Sequence, residues 1–140
     1  MKHLCIFILS LFLLSCEDDG VNNNNPYIPN YNFSLELNLN LPLYSTLQHT
    51  GNGVYIPNYG ARGVYVFNAG SYYTAFDGAC PNQHLSSCST LTKVGINLKC
   101  PCDDIEYSLF TGLPQGEVEA QYPLKTYRVQ VNGATIRVYN

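Results

Sequence analysis

Between Phe33 and Leu41 every second residue is apolar: Phe33, Leu35, Leu37, Leu39 and Leu41 alternate with Ser34, Glu36, Asn38 and Asn40. Period two marks a strand with one face in a core and one in water, because successive side chains leave a pleated backbone on opposite sides. The run therefore predicts a half-buried strand and a sheet for it to join. Shorter β-rich runs between turn residues follow at Val54 to Ile56, Val64 to Phe67, Tyr72 to Phe76, Ile96 to Leu98 and Glu106 to Phe110. Tyr127 to Val131 and Thr135 to Tyr139 flank Asn132-Gly133, a pair that tolerates positive φ and so signals a two-residue hairpin. No stretch has helical amphipathic periodicity. Twelve tyrosines, no tryptophan and 12% charged residues suit strands and turns better than solvated helices. The expected class is all-β, with one folded domain from Phe33 to Asn140.

The N-terminus is built differently. Lys2 gives a short positive region, and the eleven residues from Leu4 to Leu14 are almost wholly apolar. A helix needs about 20 apolar residues to span a hydrocarbon core, so this stretch reads as the apolar part of a signal peptide, residues 1–15, and no transmembrane helix is expected in the mature chain. Leu13-Leu14-Ser15-Cys16 resembles a bacterial lipobox. That resemblance implies cleavage before Cys16 and a lipid on Cys16, whose several acyl chains each anchor at about 0.8 kcal/mol per buried methylene. The alternative is an ordinary secretory signal. Residues 16–32 read as a tether: Glu17, Asp18 and Asp19 lead into Asn22 to Asn25 with Pro26, Pro29, Asn30 and Asn32, and no apolar period interrupts them. The acidic triplet resembles the export tag of surface lipoproteins in Bacteroidetes-type bacteria, which implies an outer-membrane, surface-facing location; the alternative is a solvated linker end. With the triplet set aside the domain is close to neutral, and no basic patch suggests nucleic acid.

The chemistry-bearing residues are four cysteines, Cys80, Cys88, Cys100 and Cys102, in two loops between expected strands. In an oxidising compartment four cysteines of a small domain pair in one of three connectivities, and the residues alone leave that choice open. Cys100-Pro101-Cys102 is a weaker redox signal than C-x-x-C, and no neighbouring base is evident to activate a thiol. Asp103, Asp104 and Glu106 read as a solvated loop, with weak calcium binding as the alternative. There is no nucleotide-binding loop, no nucleophile elbow and no HExxH-type metal site. An enzyme is not expected.

Around the cysteines the chain resembles the Rieske family, whose domains hold a [2Fe-2S] cluster with one C-x-H loop and one C-x-x-H loop. Tyr72-Tyr73-Thr74-Ala75-Phe76-Asp77 is similar to the strand entering the first loop, and Cys80-Pro81-Asn82 stands where Cys-Pro-His belongs. Cys100-Pro101-Cys102-Asp103-Asp104 stands where Cys-Pro-Cys-His-Gly belongs, and Tyr107-Ser108-Leu109-Phe110-Thr111-Gly112 resembles the Phe-Asp-x-x-Thr-Gly continuation. The resemblance runs from about Phe33 to Asn140. It implies an antiparallel β-sandwich carrying a two-loop, cluster-site-like subdomain.

The departures fall on the chemistry. Both histidine ligand positions are changed, to Asn82 and Asp103, so the cluster positions Cys80, Asn82, Cys100 and Asp103 form a degenerate set. An amide is a poor iron ligand, and a carboxylate would lower the potential that neutral imidazoles raise. Asp104 replaces the glycine after the second histidine, and Ile105 the serine whose hydroxyl serves the cluster, while Tyr107 keeps the family's tyrosine. A rearranged site of Cys80, Cys100, Cys102 and His84 would suit zinc as well as iron; otherwise His84 is a surface loop residue and His49, before Thr50-Gly51-Asn52-Gly53, a turn residue. Bacterial members of the family commonly cross the membrane folded behind a twin-arginine signal, which this N-terminus lacks, so the resemblance implies export unfolded and without iron. In members with a C-P-C second loop its second cysteine bridges to the second cysteine of loop one, here Cys102 with Cys88. Cys80 and Cys100 occupy the positions of the two thiolates that share an iron, which implies the second bridge. The expected function is a lipid-tethered extracytoplasmic domain without a normal cluster or other cofactor. It would serve as a binding or structural module with an unidentified protein or small-molecule partner, offering tyrosines such as Tyr27, Tyr31, Tyr55 and Tyr59. The alternatives are a [2Fe-2S] electron carrier and a thiol-disulfide redox protein.

Overall fold

The computed structural model describes residues 24–140. The signal segment, Cys16 and the acidic triplet lie outside the described residues. Among the described residues nine strands run in order: β1 (Ser34–Asn38), β2 (Gly53–Ile56), β3 (Val64–Asn68), β4 (Tyr73–Asp77), β5 (Thr92–Val94), β6 (Asn97–Lys99), β7 (Glu106–Ser108), β8 (Arg128–Asn132) and β9 (Thr135–Tyr139). A 3-10 turn, Ser45–Gln48, stands among them. The strands form three antiparallel sheets, ordered β1-β9-β8, β2-β3-β4 and β5-β6-β7. Among the described residues no helix is long and apolar enough to cross a membrane.

The alternation in β1 buries Leu35 and Leu37 and exposes Ser34, Glu36 and Asn38. The strand is shorter than its periodicity predicts. The Asn38 side chain accepts from Asn40 N at 3.0 Å and its carbonyl accepts from Leu41 N, an Asx turn that leads the chain out of the sheet. Leu39 stays buried, whereas Leu41 is exposed. Against β9, Leu35 faces Val138 and Leu37 faces Ile136. That register places Gly133 and Ala134 in the last turn, with Asn132 already paired to Thr135, one residue later than the Asn-Gly signal suggests.

Strand β3 is buried along its whole length and serves two cores. Val64 and Val66 point into the core shared with β1 and β9, together with Leu35, Leu37, Leu47, Ile136 and Val138. Tyr65 and Phe67 point the other way, into a second core with Phe76, Leu91, Leu98, Tyr107 and Leu109. A continuous apolar run is what a strand covered on both faces requires. This second core seats the β5-β6-β7 subdomain, fastened by Tyr65 Oη to Leu91 O at 2.9 Å and Thr74 Oγ1 to Leu109 O at 2.6 Å. Two boundaries there differ from expectation. Strand β5 carries no burial pattern, being exposed throughout, and Ile96 lies in the β5–β6 turn behind Gly95, at φ +60°. β7 stops at Ser108, whose carbonyl accepts from Gly112 N at 2.7 Å.

Candidate functional site

The two cysteine loops, residues 78–91 and 100–105, meet at the end of the subdomain. Loop one leaves β4 at Asp77, which is fully buried and accepts from Ala61 N at 2.6 Å, Arg62 N at 3.2 Å, Ala79 N at 2.8 Å and Tyr127 Oη at 2.6 Å. One carboxylate thus fixes the loop's first turn to β8's approach. Burial, followed by the nearby Asp77 charge and hydrogen bond, pushes the Tyr127 hydroxyl far above its usual range. Lys125, also buried, bonds through Nζ to Asn30 Oδ1, and burial lowers its ammonium despite the opposing pull of Asp77. No spacing in the sequence points to these contacts, because Asp77 and Tyr127 lie 50 residues apart and Asn30 and Lys125 95 apart, and they meet only in the fold.

Cys80 is bonded to Cys100, with Cα atoms 5.6 Å apart, and Cys88 to Cys102, at 5.1 Å. This is the connectivity that the resemblance implies. The first bridge is fully buried in the second core; at the second, Cys88 is exposed. The Sγ atoms of Cys80, Cys100 and Cys102 lie within 4.8 Å of one another, and this group of ligand atoms does not include His84. The His84 ring instead meets Tyr27 edge-on at 5.0 Å, and Tyr27 meets Tyr122 at 6.0 Å. Asn25 Nδ2 donates to Pro81 O at 2.8 Å, so Asn25 and Tyr27 lie against loop one, and Ile28 after them is buried. His49 is an exposed residue after the 3-10 turn.

Asn82 reaches across the site. Its Nδ2 donates to Tyr107 Oη at 2.8 Å and to Tyr122 O at 2.9 Å, and its Oδ1 accepts from Tyr122 N at 2.8 Å. Asp103 turns back on its own loop, accepting from Ile105 N at 3.0 Å and from Gln83 Nε2 at 3.2 Å. Asp104 takes φ +61°, the left-handed region that suits the glycine of the resembled motif and that Asp also tolerates, and it pairs with Lys99 at 3.1 Å. Glu106 accepts from Asn97 Nδ2 at 2.9 Å. The three carboxylates therefore face separate partners.

A cluster held by two thiolates and two imidazoles needs donors that these four positions do not supply. Two of the sulfurs are bonded to each other, the Asn82 amide is satisfied at both ends, and Asp103 offers hard oxygen in place of nitrogen. The residues present do not fit that group. Two contributors to the site carry no motif in the sequence. Gln83 Nε2 lies 3.0 Å from Cys100 Sγ, and Ser86 Oγ lies 3.4 Å from Cys88 Sγ and 3.8 Å from Cys102 Sγ.

No protein-family model and no curated protein matches the chain. Among solved structures, it is similar to a chain in the complex of reduced oxygenase and oxidized ferredoxin in carbazole 1,9a-dioxygenase, with a TM-score of 0.52 and 23% identity over 76% of this chain and 92% of that one. The ferredoxin of carbazole 1,9a-dioxygenase from Nocardioides aromaticivorans IC177 has a TM-score of 0.45 and 20% identity, over 66% and 90%. The Sphingomonas yanoikuyae B1 ferredoxin has a TM-score of 0.45 and 18% identity, over 66% and 88%.

Proposed function

We propose that this chain, whose fold is Rieske-like, is a lipid-anchored extracytoplasmic domain that works without a [2Fe-2S] cluster, as a binding or structural module of the outer membrane. The observation that carries this reading is the hydrogen-bonding of Asn82. The side chain at a histidine ligand position faces Tyr107 and Tyr122 and holds loop one to the segment before β8. With the Cys80–Cys100 bridge beside it, the two loops are joined by covalent and hydrogen bonds where a cluster would otherwise join them. The lipobox-like Leu13-Leu14-Ser15-Cys16 supports the same reading, since a chain exported unfolded reaches an oxidising compartment with its cysteines free to pair.

The partner surface remains with exposed aromatic residues. Tyr31, Tyr55 and Tyr59 are exposed, and tyrosine gives a binding face area at low entropic cost. The test is a visible absorption spectrum with metal analysis on protein isolated from its native membrane, together with mass spectrometry of its N-terminal peptide. A colourless, iron-free protein with acylated Cys16 is the expected result. A coloured, iron-containing sample would make it an electron carrier and overturn the reading, and an unmodified Cys16 would remove the anchor.

A further inference from the structure

Four sulfurs converge where loops one and two close. Those of Cys80, Cys100 and Cys102 lie within 4.8 Å of one another, and the fourth, of Cys88, is bonded to Cys102. A tetrahedral zinc thiolate has Zn–S bonds of about 2.3 Å, which sets its sulfurs about 3.8 Å apart. That separation falls within the span the three sulfurs already occupy, so cysteine side-chain rotation can supply the geometry once the S–S bonds are open.

A second observation points to thiolates. Gln83 Nε2 is directed at Cys100 Sγ from 3.0 Å, and the Ser86 hydroxyl lies beside the second bridge, 3.4 Å from Cys88 Sγ and 3.8 Å from Cys102 Sγ. A disulfide sulfur is a weak acceptor, whereas a metal-bound thiolate is a strong one that such outer donors orient and stabilise. Access is asymmetric as well. Cys88 is exposed to a reductant, while Cys80 and Cys100 lie in the dry core with Leu91, Leu98 and Tyr107, where burial disfavours a free thiolate and a metal would offset that cost.

We propose that reduction converts the two-disulfide clasp into a zinc site made by Cys80, Cys88, Cys100 and Cys102. Two equivalents of a dithiol deliver four electrons and four protons: both S–S bonds break, four thiols form, and each dithiol leaves as its disulfide. Zinc then displaces the four thiol protons to solvent as four Zn–S bonds form. A disulfide-forming oxidant removes the four electrons again, restores both bridges and releases the ion. This inference goes beyond the module reading and rests on the four sulfurs and the Gln83 and Ser86 donors beside them, so the acylation of the native protein does not decide it.

The test uses the purified full chain, reduced with a dithiol, freed of reductant without air, and titrated with Co2+ and then Zn2+. One Co2+ per chain should bind with the intense visible bands of tetrahedral sulfur ligation, and one equivalent of Zn2+ should bleach them and shield the cysteines from alkylation. The oxidised chain should bind none, Cys80→Ser with Cys100→Ser should lose the bands, and Cys88→Ser, which keeps three sulfurs, should bind at least tenfold more weakly. Far-UV circular dichroism covers the case in which the reduced chain loses structure: refolding on addition of metal supports the site, and metal-independent unfolding overturns it. Colour in the oxidised chain, no colour in the reduced one, or an unchanged spectrum in the double variant would also overturn it.

Discussion

Asn82 and Tyr107 are joined by a 2.8 Å hydrogen bond from the amide Nδ2 to the phenolic oxygen. Tyr107 is fully buried in the second core, and burial raises its hydroxyl above the ordinary range while the Asn82 bond partly opposes that rise. The bond links loop one to β7, and the same amide also grips Tyr122 through both its N–H and its carbonyl. Three chain segments thus depend on a side chain that supplies a donor and an acceptor at once.

Asn82→Ala should therefore destabilise the domain by about 2–3 kcal/mol, because it leaves a buried tyrosine hydroxyl and a backbone pair without partners. Tyr107→Phe, which removes the hydroxyl and keeps the ring, should cost about 1 kcal/mol. Asn82→His, although it returns an imidazole to the position, cannot reproduce a donor pair with an adjacent carbonyl acceptor and should also destabilise. Urea midpoints of the three variants check the order; an Asn82→Ala midpoint equal to the parent's would show that the contact contributes nothing.

The two bridges close sequence separations of 20 and 14 residues, so chain entropy alone would make them nearly equal, at about 3 kcal/mol each. Their surroundings differ. Cys80→Ala with Cys100→Ala should cost about 1 kcal/mol more than Cys88→Ala with Cys102→Ala, because only the first pair leaves a void in a packed core. Guanidinium unfolding of both double variants under non-reducing conditions measures the difference.

Asp77→Asn should be among the most damaging polar substitutions, by about 3 kcal/mol or more. The carboxylate accepts from three backbone N–H groups and the Tyr127 hydroxyl without exposure to water, and an amide would turn an NH2 group toward some of those donors. Thermal unfolding of this variant beside Tyr127→Phe separates the loss of the carboxylate from the loss of a single partner.

Alkaline pH should weaken the fold. Burial raises the hydroxyls of Tyr127, Tyr65 and Tyr107, so above the ordinary tyrosine value of about 10 the unfolded chain gives up protons that the folded chain keeps. Their contribution is whole below that value and is lost as pH rises past it, by up to about 1.4 kcal/mol per pH unit for each group. Lys125 acts in the opposite sense: burial lowers its ammonium, so its contribution grows with pH up to the ordinary lysine value. Three tyrosines outweigh one lysine, and urea midpoints should fall as pH rises above about 10; Tyr127→Phe should flatten that slope.

Much of the scaffold was legible in the residues. The alternation from Phe33 located β1, and the runs at Val64 to Phe67 and Tyr72 to Phe76 located β3 and β4; that β3 is covered on both faces, and that Gly112 takes φ +74° with Phe76 2.7 Å from the place of a Cβ, came from the structure. Strand β5 was not legible, because an exposed three-residue strand has no burial pattern to print on the sequence. The bridges were legible through family resemblance, since four cysteines alone leave three pairings.

The sequence by itself determined the all-β class and the two cysteine loops, because period-two burial, turn chemistry and residue identity are local properties; that Asn82 and Asp103 stand at histidine positions is what the family resemblance implies. Only the tertiary structure decided what Asn82, Gln83 and Ser86 do, and that Tyr127 bonds to the buried Asp77 and Lys125 to Asn30. Such contacts join residues up to 95 positions apart, as Asn30 and Lys125 do. They form because packing the strands removes water from polar groups, which must then find partners wherever the fold brings them.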